Sequence, residues 1–336
     1  QKRGPNEQSN RLRWILGICF VIVGLLAYFT LSSQRAAERR YSLALARIER
    51  SGAPRDIDDL NARQTDSRAG ADIQLSAVMG DMESIVARVF RLYDDGGMTT
   101  EGRDTMEAIF RENPNLLDHV LAASKSESYW SHRRFANLED INAADLDSDT
   151  KSLHEQHARA AARYLTHVVF YANETDDVST AVESATAILR LANLLGDQPR
   201  TEQCYISYVL RGMSLSLLEE YVPKWELTTV QVGELEKAIT QRSADTTFTE
   251  MLETERAISV SEYEGFEKQA LFRTNAMADL LDYYETRTLP DGIVGSISMG
   301  RTHGDLIVDV NTLDSIRAKL GEQEEHVLEL LDRPRH

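Results

Sequence analysis

The sequence predicts an all-α protein, with an N-terminal transmembrane helix followed by antiparallel helical hairpins and a short irregular or β segment near residues 290–309. Three observations predict it. Trp14 to Ser32 is a run of 19 uncharged residues, WILGICFVIVGLLAYFTLS. From Ile73 to Leu281 apolar residues recur at helical spacing. Gly292, Gly295, Gly300 and Gly304 then punctuate the stretch LPDGIVGSISMGRTHGDLIVD. With 42% hydrophobic and 27% charged residues in 336, the chain has globular composition and is not wholly disordered. Two cysteines exclude a disulfide framework and a cysteine-based zinc finger. A net charge of -17 lacks the basic surface that displaces counterions from a phosphate backbone, so no nucleic-acid partner is expected.

The apolar run comes first. At 1.5 Å per residue it makes a helix about 28 Å long, close to the roughly 30 Å of a bilayer core. Trp14 and Tyr28 stand near its ends, where aromatic rings favour the interface, and Lys2, Arg3, Arg11 and Arg13 precede it. A cleavable signal peptide would have a shorter apolar core and a small-x-small site, and Thr30-Leu31-Ser32-Ser33-Gln34 is a poor one. A buried core helix fits poorly with an uncharged run bounded by arginines. The run reads as a single-pass signal anchor, with the lipid bilayer as partner through residues 14–32. Arg35, Arg39, Arg40 and Arg47 nearly balance the positive-inside count. The short basic tail still favours a cytoplasmic N-terminus and an exported acidic remainder. Cys204 is then an unpaired thiol, read as a small packing residue.

Past the anchor, Arg35 to Ser51 continues outward as a helical stalk, stopped by Gly52 and Pro54. A short helix is expected at IDDLNAR within Asp56 to Asp72. Ile73 to Tyr93 forms a helix with Ile73, Val78, Met82, Ile85, Val89 and Leu92 inward. Thr99 opens a helix that Asn113-Pro114 stops, and Asn115 to Ser124 forms another. Ser126 to Asp149 reads as a long loop. Lys151 to Ala172, Asp176 to Leu195 and Thr201 to Tyr221 are three helices, and Thr228 or Thr229 caps a fourth. Thr247 to about Thr288 is helical, with a break expected near Val260-Ser261 or Gly265, and Thr312 to Leu331 closes the chain. Short connections imply antiparallel neighbours, and successive pairs resemble a helical-repeat stack without a clean sequence period. The expected domains are a cytoplasmic tail (1–13), a transmembrane helix (14–32), a helical stalk (33–55), a helical domain (56–289), and a Gly-containing segment with a C-terminal helix (290–336).

Four stretches carry a resemblance: ALARIERSGAPRDIDDLNAR (Ala44 to Arg63), FRENPNLLDHVLAASKSESYWSHRRF (Phe110 to Phe135), HARAAARYLTHVVFYANETDDVSTAVESATAILRLANLLGD (His157 to Asp197), and the helix Thr201 to Glu220. In order and spacing they resemble a bacterial family, without established activity, that joins one N-terminal membrane helix to an all-helical, TPR-like domain. The likeness spans roughly residues 40 to 285, and TEQCYISYVLRGM is more polar than that pattern. It implies a bacterial inner-membrane protein, single-pass, with its large domain on the periplasmic or extracytoplasmic side.

Few strings suggest chemistry. His154-Glu155-Gln156-His157 falls one residue short of H-E-x-x-H. Histidines at i and i+3 can share a helix face, but a third ligand and a general base are unplaced; the plainer reading is a polar helix start. Asp145-x-Asp147-x-Asp149 alternates like a calcium loop but lacks its glycine and terminal glutamate, and reads as a solvated loop. The glycine-rich segment matches neither a phosphate loop nor a dinucleotide fingerprint, and no G-x-S-x-G elbow occurs. Ile188, Leu191, Leu194 and Leu195 form a core stripe. No catalytic, cofactor-binding or metal-ligating residue is assigned and no cofactor is expected. The function expected is a non-catalytic, membrane-anchored helical protein of the cell envelope, with an interaction or scaffold role and a protein partner. Two alternatives stand beside it: an envelope enzyme with a metal site around His154 and His157, and a ligand-sensing module.

Overall fold

The chain begins with one long helix, α1 (Pro5–Ser51), whose 47 residues extend about 70 Å. The computed structural model describes residues 5–63, 70–89, 93–94, 97–129, 148–197, 200–265, 277–278, 280–281, 283–284 and 303–333. These fall into two units, drawn from Gln1–Asp56 with Arg256–His303 and from Ile57–Glu255 with Gly304–His336.

In the first unit α1 changes character along its length. Phe20 is 81% exposed, Tyr28 67% and Phe29 65%, and this apolar stretch is long enough to cross a membrane. Beyond Ser33 the exposure pattern becomes that of a packed helix. Ala37, Ala44 and Ile48 are buried, with half-buried Tyr41 between them. Their steps of four, three and four residues keep them on one stripe. The Tyr41 ring lies 4.9 Å from that of Tyr263, and its hydroxyl donates to Glu264 at 3.2 Å. Burial, then the Glu264 carboxylate, push that hydroxyl well above the usual tyrosine range. Arg55 donates to Glu264 at 3.0 Å, so one carboxylate ties the end of the stalk to this unit. Gly52 ends α1 at a φ of 72°, the left-handed turn that a Cβ disfavours.

The second unit contains α2 (Ile57–Ala62), α3 (Ala71–Ser76), α4 (Met79–Val89), α5 (Thr100–Glu112), α6 (Leu116–Ser124), α7 (Ser148–Glu174), α8 (Val178–Leu195), α9 (Thr201–Tyr221) and α10 (Thr229–Thr240). It also takes the first part of α11 (Ala244–Gly265) and nearly all of α12 (His303–Asp332). β1 (Tyr93–Asp94) and β2 (Gly97–Met98) form a two-residue antiparallel ladder. Helix starts follow side-chain caps. Thr99 accepts from the Gly102 amide at 3.1 Å, and Asp177 from that of Thr180 at 3.1 Å. Thr228 and Gln231 cap each other's amides at the start of α10.

α8 is the central helix. Ala181, Val182, Ala185, Ile188, Leu189, Leu191, Ala192 and Leu195 are all buried, and its small residues let neighbours approach closely. On α9, Ser207 donates to the Ala192 carbonyl and Ser214 to the Ala185 carbonyl, each at 2.8 Å. One step of seven residues on α9 answers one of seven in the opposite sense on α8, so the pair is antiparallel and its register is pinned twice.

Between those serines sits Arg211, only 1% exposed. Its guanidinium donates to Asn193 Oδ1 at 2.8 Å, to the Ile239 carbonyl at 2.5 Å and to the Glu324 carboxylate. Asn193 in turn donates to the Ala238 carbonyl at 2.8 Å, and Glu324 accepts from the Ala244 amide at 3.2 Å. Ala238 and Ile239 lie in the last turn of α10, where carbonyls have no intrahelical partner; Ala244 opens α11, where amides have none. The cation therefore serves a helix C-terminus and the anion a helix N-terminus, the sense the helix dipoles favour. Glu255 does the same for α9, accepting from the Thr201 amide at 2.9 Å and hydroxyl at 2.8 Å.

Several elements depart from expectation. Residues 303–309 are the first turns of α12, not an irregular or β segment; residues 290–302 lie outside the described residues. A helix already fixed by buried Leu313, Leu320, Val327 and Leu331 extends backward cheaply, because propagation costs far less than nucleation. The helix expected from Ile73 to Tyr93 is divided at Ala77-Val78, where the Val78 amide turns back to the Leu75 carbonyl at 3.1 Å, and Ile73 is 49% exposed instead of inward. No break occurs at Val260-Ser261; α11 is continuous to Gly265. Ser148 and Asp149 are helical, while residues 130–147 of the expected loop lie outside the described residues.

Removing this buried cation leaves Glu324 without its ion-pair partner and takes the donor from Asn193 Oδ1 and the Ile239 carbonyl. Arg211→Ala should cost about 3–5 kcal/mol, as when one member of a buried pair is lost. Arg211→Lys, which keeps charge but not the planar fork, should fall between it and wild type. Urea midpoints of the full chain in detergent micelles, followed by far-UV circular dichroism, read this directly; wild-type midpoints for both variants would remove Arg211 from this role.

Candidate functional site

A cleft of about 370 Å3 opens between α8, α10 and the end of α6. Arg190, Asn193, Leu194 and Asp197 line it from α8 and its end, while Glu234, Lys237, Ala238 and Gln241 line it from α10 and its end. Both sets follow the i, i+3, i+4, i+7 spacing that keeps residues on one helix face. Ser124, Lys125, Ser126, Glu127 and Arg242 complete the lining.

Three rungs cross between the helices. Arg190 meets Glu234 at 2.5 Å, the Asn193 amide donates to the Ala238 carbonyl at 2.8 Å, and Arg242 meets Asp197 at 3.3 Å. The rungs climb both helices in the same sense, so α8 and α10 run parallel and their C-termini come together. Such ends carry partial negative charge, and the cations belong to its compensation. Arg242 donates to the Gly196 carbonyl just past α8 and pairs with Glu250. Gly196 permits this approach: a Cβ there would lie 2.9 Å from Arg242 Cδ and 2.9 Å from Thr247 Oγ1.

The cleft's charged groups are not all satisfied by one another. Lys125 pairs with Glu183 at 2.7 Å, and Ser126 accepts from Gln74 at 3.1 Å. The side chains of Lys237, Glu127 and Gln241 make no hydrogen bond or ion pair among the described residues, and all three are exposed. The lining combines lysine and arginine with glutamate and aspartate, amides and hydroxyls over a small apolar floor. It is suited to holding a polar ligand by charge and hydrogen bonding.

The residues singled out from the sequence lie elsewhere. His157 is buried in α7, while the side chains of His154 and Glu155 lie outside the described residues. Asp145 and Asp147 also lie outside them, and Asp149 is in the first turn of α7. Among the described residues no three histidine, cysteine, aspartate or glutamate side chains converge as a metal site would require. Cys204 is a buried free thiol, its pKa pushed up to about 12 by burial, with Glu255 adding and Tyr208 opposing. At pH 7 it is a packing group and a poor nucleophile. Of the expected core stripe, Ile188, Leu191 and Leu195 are buried, but Leu194 is only half-buried because it floors the cleft. No sequence motif marks the cleft. Its trace in the sequence is the repeated spacing of polar residues from Arg190 to Asp197 and from Glu234 to Gln241, which exposed helix faces share.

No protein family, no curated protein and no solved structure matches this chain.

Two measurements probe this region. Gly196→Ala must displace Arg242 or Thr247, and overpacking of this kind typically costs about 1–3 kcal/mol; the variant's thermal midpoint should fall accordingly, and an unchanged midpoint would show that Arg242 yields freely. On α7, burial lowers the pKa of His167 to about 4. An unfolded histidine titrates near 6.5. The unfolded chain thus gains a proton before the folded one, so stability is full above about pH 6.5 and declines as pH falls towards 4. His167→Gln should flatten urea midpoints across that window; an unaltered slope would assign the acid sensitivity to other groups.

Proposed function

We propose that the protein is a membrane-tethered helical interaction module of the bacterial cell envelope, anchored by α1 and carrying a non-catalytic helical domain. The observation that carries this reading is the change in α1 from an all-round exposed apolar stretch, Phe20 to Leu31, to the packed stripe Ala37, Tyr41, Ala44 and Ile48. An apolar surface of that size is costly in water, whereas a bilayer removes it from water over the length of a hydrocarbon core. The acidic character of the chain, net -17, and the lack of a catalytic string support a binding role over a hydrolytic one. Arg11 and Arg13, directly before the apolar run, support a cytoplasmic side there and a helical domain outside the inner membrane. A repeat-like stack of hairpins is supported by α8, which packs against antiparallel α9 and against parallel α10. Such stacks present extended faces to partner proteins.

The anchor is testable without knowing a partner. The full chain should stay in membranes through alkaline carbonate extraction and keep its N-terminus. Leu25→Arg with Leu26→Arg should release it, since each arginine at a span's centre costs about 2.5–3.5 kcal/mol of insertion. Recovery of a soluble chain starting near Ser33 or Gln34 would instead identify a cleaved leader.

A further inference from the structure

We infer that the cleft between α8, α10 and the end of α6 is a binding site for a small zwitterion of the amino-acid or short-peptide class. Its volume, about 370 Å3, lies within the roughly 300–1,000 Å3 of small-molecule sites, at the lower end. Two charged residues of the lining lack any partner among the described residues: one cation, Lys237, and one anion, Glu127. A ligand with one carboxylate and one ammonium answers both. The remaining charges are already engaged, Lys125 with Glu183, Arg190 with Glu234, and Arg242 with Asp197 and Glu250. These pairs fix the walls and leave the open positions to the ligand.

The alternatives fit less well. A purely anionic ligand would satisfy Lys237 but would bring like charge to Glu127 and to the carbonyl-rich ends of α8 and α10. A purely cationic ligand would leave Lys237 opposed by like charge. An apolar ligand would leave both side chains without a partner and strip water from a polar lining. Polar atoms between the ligand's charged ends are favoured, because Gln241 and Ser126 share the lining. The inference does not depend on the membrane assignment, since every residue in it belongs to the unit containing Ile57–Glu255.

The test uses the full chain in detergent micelles, with isothermal titration calorimetry and thermal midpoints as readouts. The probes are glycine, glutamine, Gly-Gly and Ala-Gln, each beside its N-acetylated and C-amidated form. At least one zwitterion should bind and raise the midpoint, and removing either terminal charge should weaken it tenfold or more. Lys237→Met should weaken binding by a similar factor, and the C-amidated probe should then lose little further affinity. Glu127→Gln should do the same with respect to the N-acetylated probe. Both positions are exposed, so the fold should survive, and unchanged circular dichroism checks this. Absence of binding by all four zwitterions, equal binding of blocked and unblocked probes, or wild-type affinity in both variants would each overturn the assignment. A free amino acid and a peptide terminus are separated by whether glutamine or Ala-Gln binds more tightly. Failure of this test leaves the anchor untouched, because carbonate extraction does not involve the cleft.

Discussion

The second unit depends on one guanidinium taken out of water. Desolvating Arg211 is costly, and the cost is offset only because every direction in which the fork donates meets an acceptor: Asn193, the Ile239 carbonyl and Glu324. Those acceptors come from three helices, and through Asn193 and Glu324 the network reaches the Ala238 carbonyl and the Ala244 amide as well. The end of α10, the start of α11, and one position each on α8, α9 and α12 are thus fixed relative to one another by a single side chain. Apolar burial drives these helices together without choosing a register. The serines at 207 and 214 and the arginine between them supply that choice, because hydrogen bonds tolerate far less displacement than dispersion contacts.

The same device recurs at the other helix ends. Glu255 closes the start of α9 and Arg242 closes the end of α8. Charged residues of matching sign at helix termini replace the connecting loops as the source of precision. This arrangement also shapes the cleft. Bringing two parallel helix C-termini together concentrates unpaired carbonyls, cations must follow, and anions such as Asp197 and Glu234 then balance the cations. A polar cavity between helices is a by-product of satisfying their ends.

Much of the helical order is readable in the sequence because its signals are local. Thr99, Thr228 and Asn113-Pro114 mark helix ends by chemistry acting within four residues, and the structure places ends there. The apolar run in α1 is equally local. The less legible features are those that depend on distant partners. Nothing near Arg211 marks it as buried, since arginine in a helix is usually a surface residue and its partners lie 18, 28 and 113 positions away. Leu194 looks like its neighbour Leu191 until α10 leaves a gap above it. The glycines near 300 suggested irregular chain, but residues 303–309 take their conformation from the packed stripe that follows them. Helix propensity is a weak local preference, and continuation of an existing helix outweighs it.

The unbroken backbone of α1 has a mechanical meaning. Its apolar half and its packed stripe belong to one continuous helix, with no glycine or proline between Leu25 and Ser51. Each residue advances the helix by about 100°. The azimuth of Tyr28 or Phe29 is therefore phase-locked to that of Tyr41 and Ile48. α1 acts as a shaft: axial rotation of one half is delivered as the same rotation of the other. One residue added or removed between Ser33 and Ala37 would leave both halves intact in composition while turning one against the other by more than a quarter circle.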